Sequence, residues 1–206
     1  ASGVAVDGSA VYVVGSDGSR GDLDWEWRIE KRRIVDGSVI WTVTSNPTPG
    51  LDEASAVALD GSGLYVVGFE EYSADGLGWR IEKRSLSDGS LVWNASSRPR
   101  DENVAWGVAV DDSGVYVVGE STISPHNTEW RIEKRRLTDG SIIWNATSHP
   151  SAYAMDSASA VAVDATGVYV VGAQQLATGY FEWRIEKRDL TDGSPIWNGT
   201  SYPTMD

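Results

Sequence analysis

Side chains able to do chemistry are few in this chain and unevenly placed. It has no cysteine and only two histidines, and His126 and His149 fall in unrelated contexts. A Ser-His-Asp arrangement needs an imidazole held against both a hydroxyl and a carboxylate, and the spacing here assembles none. Zinc, which takes thiolate and imidazole ligands, lacks a ligand set. No catalytic residue or cofactor is therefore assigned, and the chain is read as a non-enzyme. The one metal candidate is calcium: Asp17, Asp22 and Asp24 offer hard oxygen ligands around Gly21, without EF-hand spacing. A solvated acidic loop is the commoner explanation of such a cluster. Arg20-Gly21-Asp22 in the same loop spells an adhesion tripeptide, a string short enough to arise by chance.

What remains is recognition chemistry. Trp25, Phe69, Tyr72, Trp106, Tyr153, Tyr180, Phe181 and Tyr202 stand among carboxylates and small polar residues, a mixture suited to a protein or glycan partner. The plainer alternative is that these rings cover the bases of their loops. Trp106 is singular, because Ser2, Ser55 and Ser159 fill the matching positions elsewhere. Three sequons begin at Asn94, Asn145 and Asn198, and Thr42 takes the place of the fourth; they predict glycosylation and hence an extracellular or cell-surface setting. A net charge of −13 argues against nucleic acid and anionic membranes as partners. No apolar run reaches transmembrane length, so no membrane insertion is expected.

The elements that must position these groups repeat four times, over 1–53, 54–104, 105–157 and 158–206. Each copy reads A-x-x-V-A-[VL]-D, then [VL]-Y-V-V-G, then a variable stretch, W-R-I-E-K-R, and D-G-S-x-[IV]-W. Valine, isoleucine, tyrosine and tryptophan between short turns predict strands. In the second copy these are strand A at 56–59, B at 64–68, C at 79–84 and D at 91–93. Asp-Gly-Ser sequences between A and B and between C and D predict tight hairpins. Four antiparallel strands in a copy of about fifty residues predict one propeller blade. The whole chain is thus expected to be a single all-β domain, a four-bladed β-propeller with four antiparallel strands per blade and no terminal strand clasp.

Alternation along strand C puts Trp27, Ile29 and Lys31 on one face and Arg28, Glu30 and Arg32 on the other. The repeated R-x-E-x-R pattern (Arg28/Glu30, Arg80/Glu82, Arg131/Glu133, Arg184/Glu186) predicts ion pairs between blades. Trp41, Trp93, Trp144 and Trp197 at the ends of strand D are expected to pack between blades as well. The preponderance of Arg over Lys and the repeated ion pairs suggest heat resistance.

The runs V-A-V-D-x-x-G-V-Y-V-V-G and I-E-K-R-x-L-x-D-G-S-x-I-W resemble the propeller repeats of quinoprotein (PQQ-like) type and the related SBBP-type repeats of bacterial and archaeal surface proteins. The resemblance spans all four copies and implies a propeller, with the Gly193 to Trp197 spacing resembling the family's tryptophan-docking motif. Asp192 stands before that glycine where quinoproteins usually have Thr, and the resemblance does not extend to PQQ.

Ring closure is expected to rest on blade 1 packing against blade 4; a ring of eight blades made by two chains is the alternative. Antiparallel order places the B to C connections (16–26, 69–78, 120–129 and 173–182) and the D to A connections on one face, where the copies differ most. The preferred reading is a non-catalytic extracellular or cell-surface module that binds proteins, or serves structurally, through that face. Two alternatives stand beside it: a lectin-like glycan-binding propeller, and a fragment or subunit of a larger propeller enzyme or assembly. A homo-oligomer or filament is compatible with any of these.

Overall fold

In the computed structural model the described residues are 1–19, 21, 24–73, 76–98, 102–150 and 155–202. They form sixteen strands in four antiparallel sheets of four, with no helix among them. Unit 1 contains β1 (Gly3–Val6), β2 (Ala10–Asp17), β3 (Glu26–Arg33) and β4 (Val39–Ser45). Unit 2 contains β5 (Glu53–Asp60), β6 (Gly63–Ser73), β7 (Gly76–Arg84) and β8 (Leu91–Ser97). Unit 3 contains β9 (Asn103–Asp111), β10 (Gly114–Ser124), β11 (Asn127–Arg135) and β12 (Ile142–Ser148). Unit 4 contains β13 (Ser157–Asp164), β14 (Gly167–Gln175), β15 (Phe181–Arg188) and β16 (Pro195–Ser201). Every sheet is built from consecutive strands, so none borrows a strand from another unit.

The expected strands are present but longer. β6 and β7 stay paired out to Ser73 opposite Gly76, and β10 and β11 out to Ser124 opposite Asn127. Phe69 and Tyr72, expected in a loop, therefore lie on a hairpin arm. Pairing satisfies backbone groups that a loop would leave to water, and Glu70 turns inward between Phe69 and Glu71, buried against Arg80 and Ser96. Strand D likewise runs past its tryptophan to Ser97, Ser148 and Ser201.

Two turn chemistries hold each sheet. At the A to B hairpin one carboxylate caps the turn: Asp60 Oδ1 accepts from the Ser62 and Gly63 amides, while the buried Tyr65 hydroxyl donates to Oδ2. No glycine of these turns has positive φ, so the aspartate rather than left-handed backbone makes the bend. At the C to D turn the backbone does need glycine, with Gly37, Gly89, Gly140 and Gly193 at φ of 69 to 75°.

Successive units pack face to face around three cores. Tyr12, Val14, Trp27 and Ile29 of unit 1 meet Ala54, Leu64 and Val66 of unit 2. Tyr65, Val67, Trp79 and Ile81 meet Ala105, Val115 and Val117 of unit 3; Tyr116, Val118, Trp130 and Ile132 meet Ala158, Val168 and Val170 of unit 4. The expected burial of unit 4 against unit 1 is not found: Trp27, Trp79 and Trp130 are 0% exposed, whereas Trp183 in the same position is 78% exposed. The four units form a succession whose two end faces are open.

The ionic pattern also departs from expectation. Glu82 is gripped by Arg80 Nε at 2.8 Å and Arg84 at 2.5 Å on its own strand, and Glu30, Glu133 and Glu186 repeat this arrangement. The pairs lie within one strand rather than between units, because alternation puts all three side chains on one face within reach. Their link to the neighbour is a hydroxyl: Ser45, Ser97 and Ser148 donate to Glu82, Glu133 and Glu186 of the following unit.

Candidate functional site

The long hairpins and the D to A connectors gather at one end of the sheets. Buried acids and one amide set this geometry: Asp52 accepts from the Thr48 hydroxyl and the Glu71 amide, Asn103 donates to the Leu77 carbonyl, and Asp156 accepts from the Gln175 amide. Burial pushes the Asp52 carboxyl up, against the bonds from Thr48. These three occupy equivalent positions; Asp52 and Asp156 bond to the hairpin of the unit they lead into, and Asn103 to β7 of the unit before it; in the sequence they look like ordinary polar linker residues.

Between units 2, 3 and 4 this end holds a hollow of about 450 Å³, whose wall includes Leu77, Glu102, Glu120, His126, Ser157 and Phe181. Glu120 is one of its lining carboxylates. Burial raises its carboxyl pKa, hydrogen bonds from Ser157 and Trp106 oppose the rise, and the negative charge of Glu102 adds to it. An indole edge and a hydroxyl thus converge on a carboxylate that is costly to keep charged. Phe181 is exposed at the wall, and His126, at the hairpin tip, carries the one positive φ of a described non-glycine residue, 62°. Glycine elsewhere would accept that conformation without strain.

The sequence-selected aromatics divide. Trp25, Trp106, Tyr180, Phe181 and Tyr202 are exposed, as a contact surface requires. Phe69 and Tyr72 are half-buried: the Phe69 carbonyl accepts from Trp27 Nε1, and Tyr72 lies beneath the Arg98 guanidinium at 4.6 Å. Both serve the framework. Arg98 in turn pairs with buried Glu70; burial acts to raise the Glu70 pKa, but Ser96, Arg98 and Arg80 outweigh it and hold it low. Tyr153 lies outside the described residues. Of the calcium candidates, Asp17 is paired with Arg28 at 2.9 Å and Asp24 accepts from Asn46, while Asp22 lies outside the described residues. No group of three or more potential metal ligands occurs among the described residues.

Asn94, Asn145 and Asn198 are exposed, as sequons must be, but they sit within β8, β12 and β16 opposite Glu82, Glu133 and Glu186 rather than beyond the strand end. Those strands are the last in each sheet. Trp93 and Trp144 are buried as expected, with Nε1 donating to the carbonyls of Leu137 and Leu190 in the following unit. Trp41 is half-buried against the first core, and Trp197 is exposed. The most exposed large aromatic among the described residues is Trp183, the counterpart of the buried Trp27, Trp79 and Trp130. Neither a scan against protein-family models nor a search of curated proteins finds a match to this chain.

Proposed function

We propose that the four sheets are blades of a β-propeller and that the protein is a non-catalytic extracellular or cell-surface module, binding a protein partner through the end that bears the B to C hairpins and D to A connectors. The observation that supports this most is the asymmetry between the two ends. One end repeats the same aspartate-capped and glycine turns in every unit. The other exposes Trp106 and Tyr180, whose matching positions hold no aromatic residue in the remaining units, and Phe181 at the wall of a hollow lined by carboxylates. A rigid scaffold that displays unlike loops is the usual platform for recognition. The exposed asparagines of the three sequons support an extracellular setting, in which glycans would project from the outer strands.

A second reading draws on the hollow itself. An exposed indole beside a carboxylate and a hydroxyl is a pairing that a sugar ring uses for stacking and hydrogen bonding. Unlike a lectin built on its repeats, this chain offers the pairing of Trp106, Glu120 and Ser157 once among the described residues.

The test is a comparison of the wild type with Trp106→Ser and Phe181→Ala against arrays of extracellular proteins and of glycans, with melting temperature recorded for each variant. Binding lost in both variants at unchanged stability supports the reading, and the array that carries the signal distinguishes protein from glycan. Binding indifferent to both substitutions contradicts it. Glu120→Gln is expected to raise the melting temperature slightly at pH 7: the raised carboxyl pKa means that the charged form costs stability as pH rises through it, and glutamine removes that charge. The gain should shrink toward pH 4.

A further inference from the structure

The three internal joints repeat one set of contacts, and the ends of the chain carry the two unused halves of that set. On the forward side of each joint a strand C tryptophan donates Nε1 to a backbone carbonyl of the next unit: Trp27 to Phe69, Trp79 to Glu120, Trp130 to Ala173, at 3.0 to 3.2 Å. The lysine two turns of the pleat further on donates Nζ to Leu86, Leu137 or Leu190. The strand D tryptophan lies on the turn glycine that follows: a Cβ on Gly89, Gly140 or Gly193 would come within 3.0 Å of Trp41, Trp93 or Trp144.

Unit 4 presents the forward half with nothing on it. Val171, Trp183, Ile185 and Trp197 are exposed, although their equivalents in unit 3 are buried, and the first three border an open hollow of about 670 Å³. Unit 1 presents the receiving half. Val4 is 68% exposed, Val6 61% and Ile34 51%, where their equivalents in units 2, 3 and 4 pack against the preceding unit. Gly37 has open space where Gly89, Gly140 and Gly193 each carry a tryptophan. Glu30 holds its two arginines but has no serine from a preceding unit, in contrast to Glu82, Glu133 and Glu186.

We propose that these faces dock onto each other between two copies of this chain, head to tail, so that two copies close one ring of eight units. The occupant follows from the residues: what fits a forward face at every internal joint is the receiving face of another unit, and the chain itself supplies one, free, with the matching groups in register. Trp183 Nε1 would donate to the Ser16 carbonyl of the second copy, Lys187 and Trp197 would meet the Ile34 carbonyl, Trp197 would lie on Gly37, and the Ser201 hydroxyl would reach Glu30. Each joint pairs unlike faces, and a two-fold axis relates the two joints, so both faces of each copy are used and neither is left open. The recognition end described above stays free in this arrangement, so the proposal does not depend on the proposed function.

Native mass spectrometry and sedimentation of the 206-residue chain test it, with Trp183→Glu and Val4→Glu as variants. Both positions are exposed, so neither substitution should unfold the chain, and circular dichroism checks that. The wild type is expected as a dimer and each variant as a monomer, more than 100-fold weaker in association. An equimolar mixture of the two variants is expected to form dimers again, because one intact forward face and one intact receiving face remain. A wild type that stays monomeric at 100 μM overturns the proposal and leaves a further repeat on the same polypeptide as the occupant. Dimers insensitive to both substitutions, a mixture that remains monomeric, or assemblies larger than two copies also overturn it.

Discussion

Unit 3 and unit 4 carry nearly the same strand, E-W-R-I-E-K-R, yet Trp130 is sealed while Trp183 is the most exposed aromatic ring among the described residues. The difference lies wholly in what stands next to them. Trp130 has Ala158, Val168 and Val170 packed over it and a carbonyl for its indole; Trp183 has neither. Repeat proteins are stabilised by each unit and by its nearest-neighbour interfaces, so the same residue is a keystone in one unit and a vacancy in the next. A joint of this kind is therefore a property of a pair of units, and the sequence of one unit specifies half of it.

The largest separation between the two regions is expected on truncating those tryptophans. Trp130→Ala should cost about 3–5 kcal/mol, as removal of a buried ring does, and Trp183→Ala less than about 0.5 kcal/mol in the monomer. Urea denaturation at low protein concentration measures both; equal losses would erase the distinction. Glycine at the C to D turn gives the next contrast. Gly37→Ala and Gly140→Ala both impose left-handed backbone, worth about 1 kcal/mol, but only Gly140 also meets a tryptophan ring, 2.7 Å from the new Cβ, which adds about 1–3 kcal/mol of overpacking. The excess isolates the docked indole.

Smaller still is the hydroxyl link. Ser97→Ala leaves a buried carboxylate short of one donor and should cost about 1 kcal/mol, whereas Ser201→Ala, whose counterpart interaction is missing in the single chain, should be neutral. Thermal melts at several protein concentrations would show Ser201→Ala becoming costly where copies associate. Tyrosine titration probes the joints without substitution. Burial pushes the hydroxyls of Tyr65 and Tyr116 up to about 12, opposed by bonds with Ser62 and Ser113 and aided by the charges of Asp60 and Asp111. Their raised values mean that the native state keeps protons the unfolded chain has lost above about pH 10. The stability they contribute is full below that pH and declines as pH rises toward 12. Ultraviolet titration should therefore show the last phenolate absorbance appearing together with loss of near-ultraviolet circular dichroism; full ionisation in the folded protein at pH 10 would contradict burial at these joints.

Much of this was legible in the residues alone. The alternation of Trp27, Ile29 and Lys31 correctly predicted one face of β3, and the Asp-Gly-Ser turns predicted the hairpins, because both depend on local chemistry. The length of β6 was not legible, since Phe69, Glu70, Glu71 and Tyr72 carry no apolar alternation and are ordered by pairing with β7. The ion pairs were read as bridges between units, although side chains at i and i+2 on one strand already face each other closely enough to bond. Glu120 escaped notice because its burial depends on Trp106 and Ser157, which come from β9 and β13. Ring closure failed as an expectation for a similar reason: four complete copies say nothing about the angle between neighbours, and that angle decides whether the fourth reaches the first.

Hydrogen exchange at the indole of Trp183, followed by nuclear magnetic resonance at high protein concentration with Trp130 as the internal standard, tests the vacancy most directly. Trp130 Nε1 is bonded at 3.0 Å inside a sealed joint and should exchange slowly. If the end faces are halves of the same joint, Trp183 should show comparable protection that disappears in Val4→Glu. Free exchange at Trp183 under conditions that protect Trp130 would mean that the face is an ordinary surface, and the likeness of unit 4 to unit 3 would end at its sequence.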